Sequence, residues 1–202
     1  MLISIHPSNP QARQLSMVAD CLEKGGIIAY PTDTIYGLGC SILHPEAIEK
    51  ICLIKKIKPE KANLSFICSD LSDLSTYAKA IDNSLYRIFK KVLPGPYTFI
   101  LPASKEVPKI LQNKKKTIGL RIPDNNIALA IIKTLGHPIL STSFPGDNVE
   151  DYTDPEVIYE HWGNQVDMVV DGGIGGITPS TVVDCTGEEL VLLRQGAGVW
   201  EY

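Results

Sequence analysis

The amino-acid sequence predicts an α+β fold, a mixed α/β arrangement in which helices surround a twisted mixed sheet. Two observations lead to this prediction. Short strand-like segments alternate irregularly with amphipathic helical segments along the whole chain. Near its end, two strands at 181–184 and 190–194 follow one another with no helix between them, which indicates antiparallel pairing. A regular doubly wound sheet would need a helix after each strand, so it is not favoured.

The first half of the chain begins with an alternating strand at 2–5. A helix opens at Asn9 or Pro10 and stops at Gly25 and Gly26, since Leu15, Val18, Ala19 and Leu22 follow helical spacing. The uncharged apolar segment 27–30 is typical of a strand buried on both faces, and Pro31 stops it. Pro45 suits the first turn of a helix over 45–56. A strand at 64–68, helices at 71–77 and 83–92, and a strand at 97–101 follow, the last two separated by Pro94-Gly95-Pro96.

The second half of the sequence also mixes strands and helices. It predicts a short helix at 107–111, a strand at 117–122 and an apolar helix at 127–135 that Gly136 stops. Strands at 139–143 and 166–170 enclose a helix at 155–162, and the two adjacent strands close the chain. No internal repeat, linker or low-complexity segment is present, so we expect one domain over 1–202.

Composition is that of an ordinary globular protein. The 202 residues carry 19 basic and 23 acidic groups, a net charge of −4, and 44% hydrophobic residues. No apolar run approaches the roughly 20 residues that span a bilayer, and the N-terminus lacks the features of a signal peptide. The five cysteines are scattered and never form a Cys-x-x-Cys pair. We therefore expect reduced thiols, a cytoplasmic location and no membrane association.

Several common catalytic motifs are absent from the sequence. There is no P-loop and no Gly-x-Ser-x-Gly elbow, and Gly37-Leu38-Gly39 is only half of a dinucleotide fingerprint. The four histidines lie far apart and three precede proline, which favours loop positions over a metal site. Cys40 has no evident histidine partner, so a small buried residue is the preferred interpretation over a nucleophile.

The stretch 26–39 attracts most attention. After the buried strand, Thr32, Asp33, Thr34 and Tyr36 place four polar side chains in five positions, directly before Gly37 and Gly39. Glycines permit close approach to a ligand, and hydroxyls supply adjustable hydrogen bonds, so this stretch predicts part of a binding site. A plain strand-end turn with polar caps is an equally good explanation from spacing alone.

Three further features place polar groups beside apolar strands. They are Arg121 in Gly-Leu-Arg-Ile-Pro, the run 141–143, and the segment 179–181. Arg121 is flanked by Leu and Ile, which indicates either a structural salt bridge or a side chain facing a pocket. The basic loop 55–61 and the run 114–116 are read as solvated surface unless other evidence intervenes. Hydroxyls and cations together predict a small anionic ligand that carries phosphate or carboxylate.

These motifs, taken together, resemble a known family. Residues 30–39, Tyr-Pro-Thr-Asp-Thr-Ile-Tyr-Gly-Leu-Gly, are similar to the YrdC-like domain of threonylcarbamoyl-AMP synthases. The similarity continues through 93–98, 119–123, 141–143, 179–184 and 194–197, in the family's order. Within the family, His6-Pro7, Gly39-Cys40 and the segments 64–66 and 74–77 resemble the short YciO-type subgroup.

The resemblance implies a YrdC-like sheet with a concave, positively charged cleft. It also implies an enzyme, a nucleotidyltransferase that joins L-threonine, bicarbonate and ATP into threonylcarbamoyl-AMP and releases pyrophosphate, with Mg2+ on the ATP phosphates. The product feeds the threonylcarbamoyl modification of adenosine in tRNA. No covalent nucleophile is needed, because the threonine carbamate attacks the α-phosphate directly. Orientation and charge stabilisation are then the protein's contribution.

The resemblance also assigns residues. Thr34, Arg121, Ser141 and Ser180 match substrate contacts, and Ser143 and Arg194 match nucleotide contacts. The family's Lys-x-Arg motif falls on Lys56 and Lys58, which the resemblance makes catalytic, with Arg121, and nucleotide-binding. Two differences stand out: Lys58 replaces an arginine, and Pro145 replaces the asparagine of Ser-x-Asn. Lysine lacks the planar fork of arginine, and proline lacks an amide, so these changes leave the catalytic rate open.

Two other functions compete with the synthase. The first is a double-stranded RNA or tRNA-binding protein of the same fold, which would use Lys55, Lys56, Lys58, Lys61 and the run 114–116, with salt-sensitive affinity. The net charge of −4 counts against it. The second is carbamoyl-adenylate chemistry with another acceptor, as in hydrogenase-maturation proteins. Threonine dependence separates the synthase from the latter.

Overall fold

The computed structural model describes residues 1–58, 64–111, 116–145 and 149–202. Within them the chain forms ten strands and six α-helices. The strands are β1 (Leu2–Ser4), β2 (Ile27–Tyr30), β3 (Gly37–Ser41), β4 (Ser65–Ile67), β5 (Tyr97–Pro102), β6 (Thr117–Arg121), β7 (Ile139–Ser143), β8 (Met168–Asp171), β9 (Thr181–Asp184) and β10 (Val191–Arg194). The helices are α1 (Ala12–Glu23), α2 (Pro45–Ile54), α3 (Leu71–Tyr77), α4 (Asn83–Val92), α5 (Asn126–Leu135) and α6 (Pro155–Trp162), with 3-10 turns at Lys109–Leu111 and Val149–Tyr152.

All the described strands belong to one mixed sheet, which confirms the predicted fold class. Their order is β1-β8-β2-β3-β7-β4-β6-β5-β9-β10. Strand β8 pairs in parallel with β1 and β2, β4 with β6, and β5 with β9. The other neighbours are antiparallel, including β9 and β10 at the C-terminal edge, as predicted.

Hydrophobic residues pack on both faces of the sheet. On one face, α1 and α5 pack against each other and cover the region of β8 and β2. On the opposite face, residues of α2, α4 and α6 build a larger core with alternate residues of the central strands. Because side chains alternate along a strand, each central strand sends one set of residues into this larger core and the other set to the face of α1 and α5.

Most predicted elements are confirmed with the same or nearly the same bounds. The segments 27–30, 71–77, 83–92, 139–143, 155–162 and 181–184 match residue for residue. Helix α1 begins at Ala12, two or three residues after its predicted start, and both Gly25 and Gly136 follow helices with positive φ, at 76° and 83°. Left-handed backbone suits glycine, so both helix stops have the predicted cause.

The prediction was wrong for residues 37–39, and it assigned no element to residues 40 and 41. The sequence interpretation made Gly37 and Gly39 part of a polar turn, but they lie in β3, a fully buried strand between β2 and β7. No helix in the described part of the chain is long and apolar enough to cross a membrane.

Candidate functional site

A cavity of about 730 Å³ opens on the part of the sheet that α1 and α5 leave uncovered. Along the strands that form its wall, side chains point alternately into the cavity and into the larger core. On β7, for example, Leu140 enters the core while Ser141 lines the cavity, and on β6 Leu120 and Arg121 divide in the same way. The side chains that line it from β4 to β9 include Ser65, Ile67, Thr98, Ile100, Arg121, Ser141, Ser143 and Val182.

Six of the predicted site residues line this one cavity. They come from five separate parts of the chain, since two of them share β7, and they are Thr34, Arg121, Ser141, Ser143, Ser180 and Arg194. The strands β6 and β7 run in opposite directions, because β4 is parallel to the first and antiparallel to the second. The polar groups therefore meet across the face of the sheet and not along one edge of it.

Arg121 forms a salt bridge and also lines the cavity. The two alternatives that the sequence left open for this residue are therefore both correct. Its Nη2 forms a short ion pair with the Asp33 carboxylate and donates to Thr34 Oγ1 at 2.7 Å. Thr34 Oγ1 also lies 3.0 Å from Thr32 Oγ1, which donates to the Ile35 carbonyl. The polar turn after β2 is thus a compact hydrogen-bonded loop, and it binds the guanidinium group of Arg121 from β6.

The glycine-rich segment after β8 supports this turn from outside. A Cβ atom on Gly176 would lie 2.3 Å from the Thr34 carbonyl oxygen, so only glycine fits there. The Tyr36 hydroxyl donates to the Gly173 carbonyl at 2.7 Å and accepts from the Gly172 amide at 3.1 Å. The segment therefore packs on the turn and holds Thr34 in place.

Arg194 and Ser180 form the far wall of the cavity. Arg194 Nε and Nη2 donate to the Ser180 carbonyl at 3.0 and 2.8 Å, and Nη2 also reaches Ser180 Oγ at 3.2 Å. Thr98 Oγ1 lies 2.9 Å from the same Ser180 hydroxyl. Burial, and then the positive charge of Arg121, lower the pKa of Arg194, and both arginines line the cavity.

Lys55 contacts Ser143 at the end of β7. Its ammonium group donates to the Ser143 carbonyl at 2.8 Å and contacts Ser143 Oγ at 3.3 Å, and it lines the cavity. Burial lowers the pKa of Lys55. Lys56, at a φ of 54°, and Lys58 have exposed side chains outside the lining of the cavity, and their catalytic role stays a prediction. Lys61, Lys114 and Lys115 lie outside the described residues.

The charge of the lining is one-sided. Its charged members in the described chain are Lys55, Arg121 and Arg194, and no carboxylate is among them. Asp33 lies behind Arg121. Cations on a concave wall with several hydroxyls favour a ligand that carries carboxylate or phosphate. The fold and cavity thus define a mixed α/β protein with a cationic binding cleft.

Comparison with known proteins narrows this class. The model of the Sua5, YciO and YrdC proteins, described as "Telomere recombination", matches residues 20–196. YciO of Escherichia coli K12 is 46% identical over 197 residues, which cover 96% of this chain and 94% of YciO. The crystal structure of E. coli YciO has a TM-score of 0.92 over 98% of this chain and 97% of its own. The chain therefore belongs to the Sua5/YciO/YrdC family.

Two more distant relatives carry a biochemical description. Threonylcarbamoyl-AMP synthase of Coxiella burnetii RSA 493 is 32% identical over 175 residues, which cover 85% of this chain and 93% of the synthase. The crystal structure of P. abyssi Sua5 complexed with L-threonine is 28% identical, with a TM-score of 0.86. That alignment covers 97% of this chain and 57% of Sua5, which is the longer protein.

Four contacts of the site were not predicted from the sequence. Lys55 was assigned to a surface loop, and Asp33, Tyr30 and Thr98 received no individual role. Asp33 and Tyr30 stand in the same motif as Thr34, and Thr98 ends the motif 93–98. Their partners, however, are 88, 111 and 82 residues away in the chain. The motif alone indicates that these positions matter, and only the fold shows which groups they contact.

Proposed function

We propose that this protein binds L-threonine and ATP in the cationic cleft and, with bicarbonate, forms threonylcarbamoyl-AMP and pyrophosphate. One observation carries the proposal: Thr34, Arg121, Ser141, Ser143, Ser180 and Arg194 line the same cavity. The relationship to a threonylcarbamoyl-AMP synthase and to a Sua5 structure with L-threonine supports it. The product would serve the threonylcarbamoyl modification of adenosine in tRNA.

The distribution of charge suits these substrates. Threonine presents a carboxylate, its carbamate a second anionic group, and ATP a triphosphate. Arg121 has its charge offset by Asp33, whereas the contacts described above for Lys55 and Arg194 are to neutral oxygens. We assign Arg121, Thr34, Ser141 and Ser180 to the threonine side, and Ser143, Lys55 and Arg194 to the phosphates.

The chemistry requires no covalent intermediate with the protein. The threonine amine takes up carbon dioxide, and a carbamate oxygen attacks the α-phosphorus of ATP as the bond to pyrophosphate breaks. Burial raises the pKa of the Cys40 thiol to about 12, so this cysteine is protonated at neutral pH and unsuited to act as a nucleophile. The chain contributes by holding two anionic reactants together and offsetting their charge.

Mg2+ enters this proposal with the nucleotide. The described residues contain no group of three or more His, Cys, Asp or Glu side chains arranged to hold a metal ion, and no carboxylate is among the described residues lining the cavity. We propose that the ion is bound by the ATP phosphates as part of the substrate.

The decisive experiment is mass-spectrometric detection of threonylcarbamoyl-AMP after incubation with ATP, Mg2+, bicarbonate and threonine, with each left out in turn. A product that requires all four supports the proposal. Arg121→Ala should abolish threonine binding in calorimetry, provided circular dichroism shows that the variant is folded. A folded Arg121→Ala with full threonine affinity would contradict the assignment of Arg121 to the threonine side.

Two negative results point elsewhere. Product that forms with another acceptor in place of threonine indicates related carbamoyl-adenylate chemistry. Nucleotide binding without product indicates that the cleft serves another purpose, and binding of double-stranded RNA would then be measured at increasing salt. Substituting the exposed Lys56 and Lys58 together tests whether that RNA affinity depends on them.

A further inference from the structure

The side chain of Tyr30 reaches the cavity wall from two strands away. Tyr30 ends β2, it is fully buried, and its hydroxyl donates to Ser141 Oγ at 2.6 Å. Ser141 stands on β7, and β3 lies between these two strands. Neighbouring strands are about 4.8 Å apart, so the tyrosine ring must cross the full width of β3 to make this contact.

Two glycines of β3 create the space for that crossing. Gly37 pairs with Tyr30, and Gly39 pairs with Ser141. A Cβ atom on Gly39 would lie 3.0 Å from Tyr30 Cε1, and a Cβ on Gly37 would lie 3.2 Å from Tyr30 Cε1 and 3.1 Å from Ser141 Oγ. All three distances are tighter than most contacts of a real Cβ atom, so the bare backbone of β3 leaves the ring of Tyr30 its space.

The direction of the hydrogen bond determines what Ser141 can do. A serine hydroxyl has one proton to donate and two lone pairs to accept with. Burial raises the pKa of Tyr30 to about 12, so the phenol keeps its proton at neutral pH, and the hydrogen bond runs from this phenol to Ser141 Oγ. Tyr30 thereby occupies a lone pair of Ser141, and the hydrogen bonds recorded among the described residues leave the Ser141 proton free. Since Ser141 lines the cavity, that proton is available to a ligand there.

We propose that Tyr30 is a positioning residue: it holds the Ser141 hydroxyl as an acceptor, so that Ser141 donates its own proton to an anionic oxygen of the substrate. On this inference a single hydroxyl, that of Ser141, is oriented by Tyr30, and Gly37 and Gly39 leave the space that the ring of Tyr30 needs. The identity of the substrate, L-threonine, rests on the function proposed above. The orientation of Ser141 does not, because it applies to any carboxylate or phosphate oxygen that reaches it.

The test compares Tyr30→Phe, Ser141→Ala and the double variant. Loss of a hydrogen bond to a charged group weakens binding by about 10- to 100-fold, and we expect Tyr30→Phe to lie near the lower end. The KM for threonine and its Kd from calorimetry should each rise about tenfold, while kcat changes less than about twofold. Because both residues act through one hydroxyl, the double variant should bind no more weakly than Ser141→Ala alone.

Tyr97→Phe is the matched control. Tyr97 is also buried, and its hydroxyl donates to the Val199 carbonyl at 2.8 Å, but Tyr97 does not line the cavity. Both tyrosine variants should lose similar stability, and only Tyr30→Phe should lose affinity for threonine. If Tyr30→Phe binds threonine as the wild type does, Tyr30 is merely structural and the inference is wrong.

Two further measurements keep the outcomes separate. Should Tyr30→Phe fail to fold, Gly39→Ala disturbs the same ring from the other side and is expected to weaken threonine binding in the same way. Should the wild type bind no threonine, the proposed function fails by itself, and inorganic pyrophosphate replaces threonine as the probe. Weaker pyrophosphate binding in Tyr30→Phe then supports the role of Tyr30, and equal or absent binding in both proteins overturns it.

Discussion

Asp33 and Arg121 form a buried ion pair at the edge of the cleft, with about a tenth of each side chain exposed. One atom on each side is left over: Arg121 Nε and Asp33 Oδ2 are buried without a hydrogen-bond partner among the described residues. The pair therefore offsets the charge of Arg121 without using all of its donors. A ligand that approaches Arg121 meets a positioned guanidinium group, and among the described lining residues the positive charge without a carboxylate partner lies on Lys55 and Arg194.

The first prediction concerns this pair. Asp33→Ala leaves a buried arginine without its counter-ion, and removal of one partner of a buried pair costs about 3–5 kcal/mol. We expect the free energy of unfolding, measured with urea, to fall by that amount. Glu49→Ala, on the exposed side of α2, should change it by no more than about 0.5 kcal/mol. A loss below about 1 kcal/mol for Asp33→Ala would mean that Arg121 is well solvated without its partner.

A second prediction uses the lowered pKa of Lys55, which has burial as its cause. Its ammonium group attracts phosphate only while protonated, so ATP affinity should decline as pH rises through the pKa of Lys55. That decline should begin below the ordinary lysine value of 10.5. Lys55→Arg keeps its charge throughout this range and should bind ATP equally well at each pH. The measurement is the Kd for ATP from calorimetry between pH 7 and the alkaline limit of folding; parallel curves for the two proteins would remove Lys55 from the phosphate site.

Much of the fold was predictable from the sequence because local signals agreed with tertiary structure. Proline and glycine mark the ends of helices at Gly25, Pro45 and Gly136, and apolar periodicity gives their buried faces. Strand β3 was missed because two of its five residues are glycine, which weakens a strand signal. Its place between β2 and β7 compensates, since both edges are paired and every residue is buried.

The candidate site was predictable in its residue types and less so in its contacts. Hydroxyls and cations beside apolar strands indicated an anion site, and the family resemblance selected six residues that line one cavity and two, Lys56 and Lys58, that do not. Lys55 was not selected, because the lysines at 55, 56 and 58 differ only in the direction of their side chains. That direction depends on where helix α2 ends, which the sequence does not give to the residue. Gly37 lines the cavity, and the space beside both Gly37 and Gly39 is occupied by the ring of Tyr30, a contact that the sequence did not indicate.

A third prediction follows from that crowding. Gly39→Ala would place a Cβ 3.0 Å from Tyr30 Cε1 and 3.4 Å from both Ile139 Cδ1 and the Leu140 carbonyl oxygen. Overpacking of a well-packed interior costs about 1–3 kcal/mol, so the midpoint of thermal unfolding should fall by several degrees. Gly187→Ala is the matched control, because nothing lies closer than 3.8 Å to its Cβ. It should leave stability unchanged or slightly higher; equal losses at both positions would contradict the role given to Gly39.

The last prediction concerns the shape of the arginine on β10. Two nitrogen atoms of Arg194 donate to one carbonyl oxygen, that of Ser180, which fixes the plane of the guanidinium group against the cavity wall. Lysine would keep the charge and lose this two-point attachment. We expect Arg194→Lys to raise the Kd for ATP about tenfold, corresponding to about 1.4 kcal/mol, with threonine affinity almost unchanged. Calorimetry with each ligand separates the two effects. A variant with normal ATP affinity would show that charge alone suffices at this wall, whereas equal losses for ATP and threonine would place Arg194 between the two substrates and not on the phosphate side.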